Sequence, residues 1–222
     1  GSARGATGHS GPTHGTEQAR ARPPRPALRV AFVTDIHLPS DKYGDHVRRV
    51  LKMVQSQFNR VDMILFGGDN VLAAENSAVD ASKSQLSNWQ KMCKETLTVP
   101  NYSVIGNHDI WYPPGAHSSS YNTGKQMAIE AFQMPQRYYS VSRSGWRFLM
   151  LDSVHPKEQG YQGLIDEDQM AWLKRELERN KQPTILVSHI PIFTAAPLLD
   201  SHLMSHQGHF RISHQRILKN AR

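Results

Sequence analysis

Three short motifs in this chain place carboxylate, imidazole and carboxamide groups close together. They are Asp35-Ile36-His37, Gly68-Asp69-Asn70 and Gly106-Asn107-His108-Asp109. Oxygen and nitrogen ligands of these types suit divalent transition metals. Two ions held by such groups would activate a water molecule and neutralise the charge of a phosphate. The motifs therefore predict a two-metal hydrolytic site.

Each motif follows an apolar segment of strand length. These segments are residues 28–34, 61–66 and 102–105, and amphipathic helical patterns at 44–59 and 79–95 separate them. Alternating strands and helices predict a parallel sheet with crossover helices. Ligands of such sheets bind beyond the carboxyl ends of the strands, so we expect the three motifs to meet at one edge.

The second half of the chain continues with a loop, a hairpin, a helix and a further strand. These are a polar, aromatic loop at 111–125, strands at 138–142 and 146–151, a helix from Asp166, a strand at 184–187 and a last helix at 210–220. Ser144-Gly145 is typical of a tight hairpin turn. His189 follows the strand at 184–187 as the other motifs follow theirs.

Length and charge narrow the class of protein. A chain of 222 residues favours one domain. Of the net charge of +7, residues 1–29 contribute five arginines against Glu17, or +4, and the remainder contributes +3. A mildly basic folded part is weak evidence for a polyanionic partner, so nucleic acid is disfavoured.

The N-terminal segment and the single cysteine do not point to a function. Residues 1–27 are rich in Gly, Ala, Arg, Pro and His, which predicts a disordered leader, and Gly1-Ser2 resembles a cloning scar. Residues 28–222 would be the folded domain. Cys93 lies in a helical pattern and is expected to be a small buried residue. No apolar run is long enough for a membrane span, and the compartment, cytoplasmic or exported, stays open.

The residue types within the motifs suggest individual roles. Asp35 and His37 are two positions apart, and the alternation of strand side chains would point both towards one ion. A carboxylate at Asp69 would bridge two ions. His108 beside Asp109 offers an imidazole that a carboxylate orients, and it would donate a proton to a leaving alkoxide. Each motif alone also fits an ordinary turn or surface pair.

In their order along the chain, Asp-x-His, Gly-Asp, Gly-Asn-His-Asp and a strand-end His resemble the calcineurin-like metallophosphoesterases. The resemblance spans residues 28 to about 220, and Gly-Asn-His-Asp is its most specific part. The branches of cyclic-nucleotide phosphodiesterases and purple acid phosphatases are the most similar, partly through Leu151-Asp152-Ser153 and residues 169–173. The resemblance implies an α/β fold, a four-layer α/β/β/α sandwich of two mixed sheets flanked by helices.

The resemblance also implies roles for the site residues. Two divalent or trivalent ions, drawn from Mn, Fe, Zn and Ni, would activate a hydroxide for in-line attack on phosphorus. His108 would face the phosphate, with Asp109 behind it. The implied metal ligands are Asp35 and His37 for the first ion, Asp69 for both, and Asn107 and His189 for the second.

The family pattern closes with Gly-His-x-His, and here the chain departs from it. The corresponding stretch is Gly208-His209-Phe210-Arg211, in which Arg211 stands in place of a ligand. His209 is a candidate for an additional ligand, and a loop residue is the alternative. We expect residues 210–222 to be the helix that precedes a missing strand, so that the chain is truncated and each ion lacks one imidazole. The bare sheet edge that results would favour a homo-oligomer or a strand-swapped assembly.

The substrate predicted from the motifs is a small phosphoester, nucleotides included. Residues expected to contact it lie in two loops, and a structural role as surface loops with aromatic anchors is the alternative. They are Trp111, Tyr112, His117 and Tyr121 in one loop and His155 and Tyr161 in the other.

Two other functions compete with a phosphomonoesterase or phosphodiesterase. One is a degenerate member of the same fold that binds metal or phosphate but turns over weakly. The other is a metal-dependent nuclease, which the small excess of positive charge disfavours. A serine hydrolase is disfavoured because the chain has no Gly-x-Ser-x-Gly motif.

Overall fold

The computed structural model describes Gly1 and residues 27–38, 44–56, 60–75, 78–112, 118–157 and 160–192. The described elements comprise eight strands, four α-helices and a single 3₁₀ turn. In chain order they are β1 Val30–Val33, α1 Gly44–Ser56, β2 Met63–Phe66, α2 Val79–Thr96, β3 Asn101–Ser103, the 3₁₀ turn Asn107–Asp109, α3 Ser118–Ala131, β4 Tyr139–Arg143, β5 Trp146–Met150, β6 Val154–Pro156, β7 Tyr161–Gly163, α4 Glu167–Arg179 and β8 Thr184–Val187.

The strands form two main sheets and one small hairpin. β1, β2 and β3 lie side by side and are all parallel, as the alternation of strands and helices predicted. β4, β5 and β8 form a mixed sheet, with β4 antiparallel and β8 parallel to β5. β6 and β7 form the antiparallel hairpin, which no sequence pattern indicated. The predicted α/β class with mixed sheet pairing is confirmed.

Alternating side chains on β5 show how the layers stack. Phe148 and Met150 belong to the main core together with the buried residues of β2, whereas Leu149 and Leu151 pack with Leu173 of α4 in a second cluster. Successive strand residues face opposite sides of a sheet. The parallel sheet therefore covers one face of the mixed sheet, and α4 covers the other.

The parallel sheet carries α2 on its far side. Trp89 of α2 is buried and meets the ring of Phe66 of β2 edge-on, with ring centroids 5.1 Å apart. Between the sheets, the Tyr139 hydroxyl donates to the Ser103 carbonyl at 2.8 Å and accepts from the Ser103 amide at 3.1 Å. These contacts give the expected order of layers, which is helix, sheet, sheet and helix.

Two local predictions are confirmed, the tight hairpin turn at Ser144-Gly145 and the helix that begins near Asp166. Ser144 and Gly145 have φ of 48° and 78°, which are the left-handed values that a tight hairpin turn requires. Asp166 caps α4 because its side chain accepts a hydrogen bond from the Gln169 amide.

The predicted loop at 111–125 is partly wrong, because α3 begins at Ser118. The first turns of α3 contain Ser, Asn, Thr and Gly, which are weak helix formers. Packing stabilises the helix instead: Tyr121 and Ala128 are buried in the main core. At Gly124 the helix lies so close to the Trp111 carbonyl that an added Cβ would be 2.0 Å from its oxygen. Tertiary contacts override weak propensity here.

Several predictions concern residues outside the described ranges. They are the leader, the helix at 210–220, His117 and His209. Among the described strands, β1 and β8 form sheet edges, and Phe32 and Ile185 on them are 56% and 42% exposed. An assembly through such an edge stays a prediction. No helix in the described part of the chain has the length and apolar character needed to cross a bilayer.

Candidate metal centre

The loops that follow β1 and β2 are tied to each other before any side chain is considered. The Asp35 amide donates to the Gly68 carbonyl at 3.0 Å, and the His37 amide donates to the Asp69 carbonyl at 2.9 Å. Asp35, His37 and Asp69 have φ of 55°, 47° and 53°, in the left-handed region that costs non-glycine residues about 1 kcal/mol or more. Strain of this kind clusters at functional sites.

This backbone corrects the reason given for the pairing of Asp35 with His37. Strand β1 ends at Val33, so both residues lie beyond it and strand alternation does not apply. Their left-handed conformations nevertheless bring Asp35 Oδ1 to 4.0 Å from His37 Nε2. Asp69 Oδ2 lies 3.8 Å from the same imidazole nitrogen. His37 Nε2 therefore lies within 4.0 Å of a carboxylate oxygen from each of two residues. Ligand atoms that all lie within 4.8 Å of one another occur in two sets, which are His37 with Asp69 and His108, and Asp35 with Asp69 and His189.

A second group forms on the other side of Asp69. His189, which follows β8, places Nε2 at 3.5 Å from Asp69 Oδ1 and at 3.1 Å from Asn107 Oδ1. Asp69 thus directs one oxygen towards each group, as a bridging carboxylate does. Asp69 and His189 are almost fully buried, whereas Asp35 is half exposed.

The hydrogen bond at the other nitrogen of His189 indicates that this group fits a cation. His189 Nδ1 lies 2.9 Å from the Gly67 carbonyl oxygen, which can only accept, so Nδ1 carries the proton. The lone pair of Nε2 then points towards the oxygens of Asn107 and Asp69. Lone pairs that converge repel one another unless a metal ion lies between them or a second ring proton on Nε2 donates to the oxygens. A backbone carbonyl that fixes the imidazole tautomer is also the usual support of a metal-binding histidine.

Close backbone approach makes glycine necessary beside these ligands. A Cβ on Gly106 would lie 2.1 Å from Asp69 Oδ1 and 2.2 Å from the Asp69 amide nitrogen. A Cβ on Gly68 would lie 2.8 Å from His189 Nδ1. The ends of β2, β3 and β8 can therefore meet only because these positions lack side chains.

His108 lies at the same edge but is held by different contacts. Its amide donates to Asp69 Oδ1 at 2.9 Å, and its ring centroid is 4.8 Å from that of His37. Its Nδ1 is 2.6 Å from Oε1 of Glu75. Burial raises the pKa of the Glu75 carboxyl, and the neighbouring His108 opposes that shift. With Nδ1 facing a carboxylate, Nε2 is the nitrogen left to act on a substrate.

Comparison with known sequences agrees with this geometry. A sequence model described as calcineurin-like phosphoesterase matches residues 28–214. The chain belongs to the calcineurin-like phosphoesterase family. This is a family of hydrolases that act on phosphoester bonds. The predicted resemblance is confirmed at the level of the family.

A probable cyclic nucleotide phosphodiesterase of Synechococcus sp. is similar to this chain. The two are 28% identical over 170 residues, which cover 74% of this chain and 58% of the relative. The chain therefore spans less than two thirds of that relative's length.

Asp109 does not lie behind His108 as predicted. Its carboxylate is fully buried and accepts hydrogen bonds from the amides of Asn70, Val71 and Gly106 at 2.8, 3.1 and 2.9 Å. Burial raises its pKa to about 7, although these bonds favour the anion. Asp109 thus joins the loop after β2 to the loop after β3, and Glu75 takes the place beside His108.

The residues predicted to contact substrate separate into two groups. Tyr112 and Tyr121 line a cavity of about 440 Å³ together with His108, whereas the described residues that line it do not include Trp111 or His155. Burial lowers the pKa of the His155 imidazole, which lies 3.9 Å from Asp166. His155 therefore lies beside the residue that caps α4.

A buried ion pair stands behind this cavity. Lys125 of α3 pairs with Asp152, which also accepts from Arg137 at 3.2 Å. The Lys125 ammonium lies 5.3 Å from the centroid of the Tyr121 ring. Burial lowers the pKa of Lys125, and the charge of Asp152 opposes that shift. The pair anchors α3, and with it Tyr121, to the end of β5.

The sequence interpretation missed Glu75, whereas Tyr161 was expected, with His155, on a loop that could line the pocket. Glu75 lies six positions after Asp69, and Tyr161 begins the short strand β7 and lines the cavity. An acidic residue within the same strand-end loop was the one available signal for Glu75.

Proposed function

We propose that this chain hydrolyses phosphoester bonds at a pair of metal ions held between the ends of the parallel strands. The observation that supports this most directly is the position of Asp69, with one oxygen towards His37 and the other towards His189. Family membership supports the same reaction class. Phosphomonoesters and phosphodiesters, including cyclic nucleotides by similarity to the Synechococcus relative, are the substrates we propose.

Each metal would be held by residues that the strand ends bring together. As the family resemblance implies, the first would bind Asp35, His37 and Asp69, and the second Asp69, Asn107 and His189. When bound, the two ions supply an activated water nucleophile and neutralise the charge that develops on the phosphate. Mn, Fe, Zn and Ni all suit this mixture of imidazole and oxygen ligands.

His108 would act on the leaving group. It would do so as the doubly protonated imidazolium, with its Nδ1 proton directed at the Glu75 carboxylate and its Nε2 proton passed to the departing oxygen at the edge of the cavity. Glu75 is a positioning residue in this scheme, because it acts through His108 by orienting the imidazole.

One sequence feature favours a second candidate. Gly208-His209-Phe210-Arg211 carries an arginine where the Gly-His-x-His pattern has its second histidine. A member of the fold that holds metal or phosphate but turns over slowly would fit that departure. The nuclease alternative has no such support, because the charge outside residues 1–29 is only +3, from 21 basic and 18 acidic residues.

Metal analysis and hydrolysis measured together test the proposal. The protein is loaded with Mn, Zn, Fe or Ni, its bound metal is quantified, and its turnover of p-nitrophenyl phosphate and bis(p-nitrophenyl) phosphate is measured. Asp69→Asn should lower both metal content and kcat/KM, the latter by more than about 100-fold. Asp168→Asn, an exposed carboxylate on α4, is the matched control and should change neither.

The outcomes separate the candidates. Bound metal without turnover of either ester would favour the slow, metal-binding relative. Absence of both metal and turnover with all four ions would contradict the proposal. Turnover that survives Asp69→Asn unchanged would place the chemistry elsewhere in the molecule.

A further inference from the structure

The cavity beside His108 has two walls of different character. One wall consists of Glu75, Asn107 and His108, which belong to the candidate metal centre. The other consists of apolar and aromatic side chains, chiefly Ile110 and Tyr161. Since His108 is the proposed proton donor and lines the same cavity as Ile110 and Tyr161, a leaving group whose oxygen contacts His108 would enter that cavity.

Packing holds the aromatic side of the cavity in place. Tyr121 is 2% exposed, and the ring of Tyr112 meets it edge-on with centroids 5.5 Å apart. The Tyr112 hydroxyl donates to the Lys157 carbonyl at 3.3 Å, next to the β6–β7 hairpin. Two of the three tyrosines are thus oriented before any ligand arrives, which reduces the entropy that binding would cost.

The charge around the cavity selects against anionic groups. No lysine or arginine is among the described residues that line it. Burial raises the pKa of the Tyr161 phenol, and the carboxylates of Asp69 and Glu75 raise it further. A leaving group that is itself a phosphate, as in a phosphoanhydride, would have its charge unpaired there. An uncharged ring would pack against tyrosine faces and Ile110.

We propose that this cavity is a leaving-group subsite that binds an uncharged aromatic ring esterified to the phosphate. The inference rests on the proposed function, because it assigns the specificity of the same site. It makes Tyr161 a specificity-determining residue, and it predicts that aryl or nucleoside esters are preferred over small alkyl esters.

Two phosphonates test the subsite separately from the metal centre. Methylphosphonate reports the phosphate position alone, and phenylphosphonate adds the ring. In calorimetric titrations of the Mn-loaded protein, phenylphosphonate should bind about ten-fold more tightly, as expected for a ring entering an apolar pocket. Tyr161→Ser should reduce that advantage to less than two-fold while leaving methylphosphonate affinity unchanged. Tyr112→Leu is a second variant with the same expectation.

Tyr138→Ser is the matched control, because that ring packs on Trp172 at 4.9 Å between centroids and is not among the lining residues. Equal affinities for the two phosphonates, or an advantage that survives both cavity variants, would overturn the inference. If methylphosphonate itself fails to bind, the proposed function is contradicted instead. The aromatic subsite is then tested by saturation-transfer NMR with benzyl alcohol. Transfer signals that disappear in Tyr161→Ser would support the subsite, and the absence of any transfer signal in the wild-type protein would overturn it.

Discussion

Replacing Gly106 by alanine is the most direct test of how the strand ends meet. Gly106 has φ of −96° and ψ of 173°, so alanine can adopt its backbone conformation without strain. The effect of the change is therefore steric. The added Cβ would stand 2.1 Å from Asp69 Oδ1 and 2.2 Å from the Asp69 amide nitrogen, where real contacts are at least 3.0 Å.

The size of the effect follows from what must move. The Asp69 amide is backbone, so the two loops must separate by about 1 Å. That shift would break the bonds from the His108 amide to Asp69 and from the Asn70 amide to Asp109. Overpacking costs about 1–3 kcal/mol and each lost hydrogen bond about 1 kcal/mol. We expect Gly106→Ala to lower the free energy of unfolding by about 3–5 kcal/mol.

Thermal unfolding of the metal-free protein measures this directly. A loss of that size corresponds to a fall in Tm of about 6–20 °C for a domain of this size. Hydrolysis should fall about 100-fold, because a shift of about 1 Å misplaces Asp69 and His108. Gly44→Ala is the control, since nothing lies within 4 Å of its added Cβ, and it should change Tm little. A Gly106→Ala protein as stable and active as the wild type would refute the close approach of these loops.

Three further predictions, two substitutions and one labelling experiment, test other parts of the structure. Lys125→Met should lower the free energy of unfolding by about 2–4 kcal/mol in urea titrations, because it leaves the buried Asp152 with Arg137 alone. Glu75→Gln should lower kcat about ten-fold for alkyl phosphates but less than about three-fold for p-nitrophenyl phosphate, whose leaving group needs no proton. Burial raises the pKa of the Cys93 thiol to about 12, so its labelling in the native protein should rise about ten-fold per pH unit between pH 8 and 10, whereas labelling in denaturant levels off. The pKa of the Cys93 thiol is higher in the folded protein than in the unfolded chain. The thiol should therefore not affect the free energy of unfolding below about pH 8, and it should lower that free energy as the pH rises further.

Each of these predictions has a result that would contradict it, and each of the two substitutions has a control variant. Lys174→Met removes an exposed ion pair with Glu178 at 3.9 Å and should lower the free energy of unfolding by less than about 1 kcal/mol. If Lys125→Met lowers it by no more than Lys174→Met does, the burial of the Lys125 ion pair is contradicted. Glu130→Gln on α3 should leave the leaving-group dependence unchanged, and a uniform loss for Glu75→Gln across all esters would argue against its positioning role. Native Cys93 labelled as fast as unfolded protein at pH 8 would show that the thiol is accessible.

Much of the site was predictable because it depends on where strands end. The apolar segments before Asp35, Asp69 and Asn107 became parallel neighbours in one sheet, and His189 follows β8 of the mixed sheet that packs against it. Convergence of strand ends is a property of topology, and hydrophobic patterning encodes topology well.

The errors came from contacts that no periodic pattern records. Asp109 looked like the partner of its neighbour His108, yet three amides from two loops surround its carboxylate. Helix α3 was missed because its stability comes from packing against Trp111 and the core, not from its residue types. Tyr161 lies on a short hairpin whose strands of three residues have too little alternation to be detected.

The sequence by itself determined the strand-end residues that could share metal ions and the family whose chemistry they fit. It did so because ligand types and hydrophobic periods are written locally along the chain. Only the tertiary structure decided that Glu75 accompanies His108, that Asp109 joins two loops and that tyrosines from separate segments form one cavity. Those relations depend on distances between segments remote in the chain, which packing of the two sheets and their helices sets.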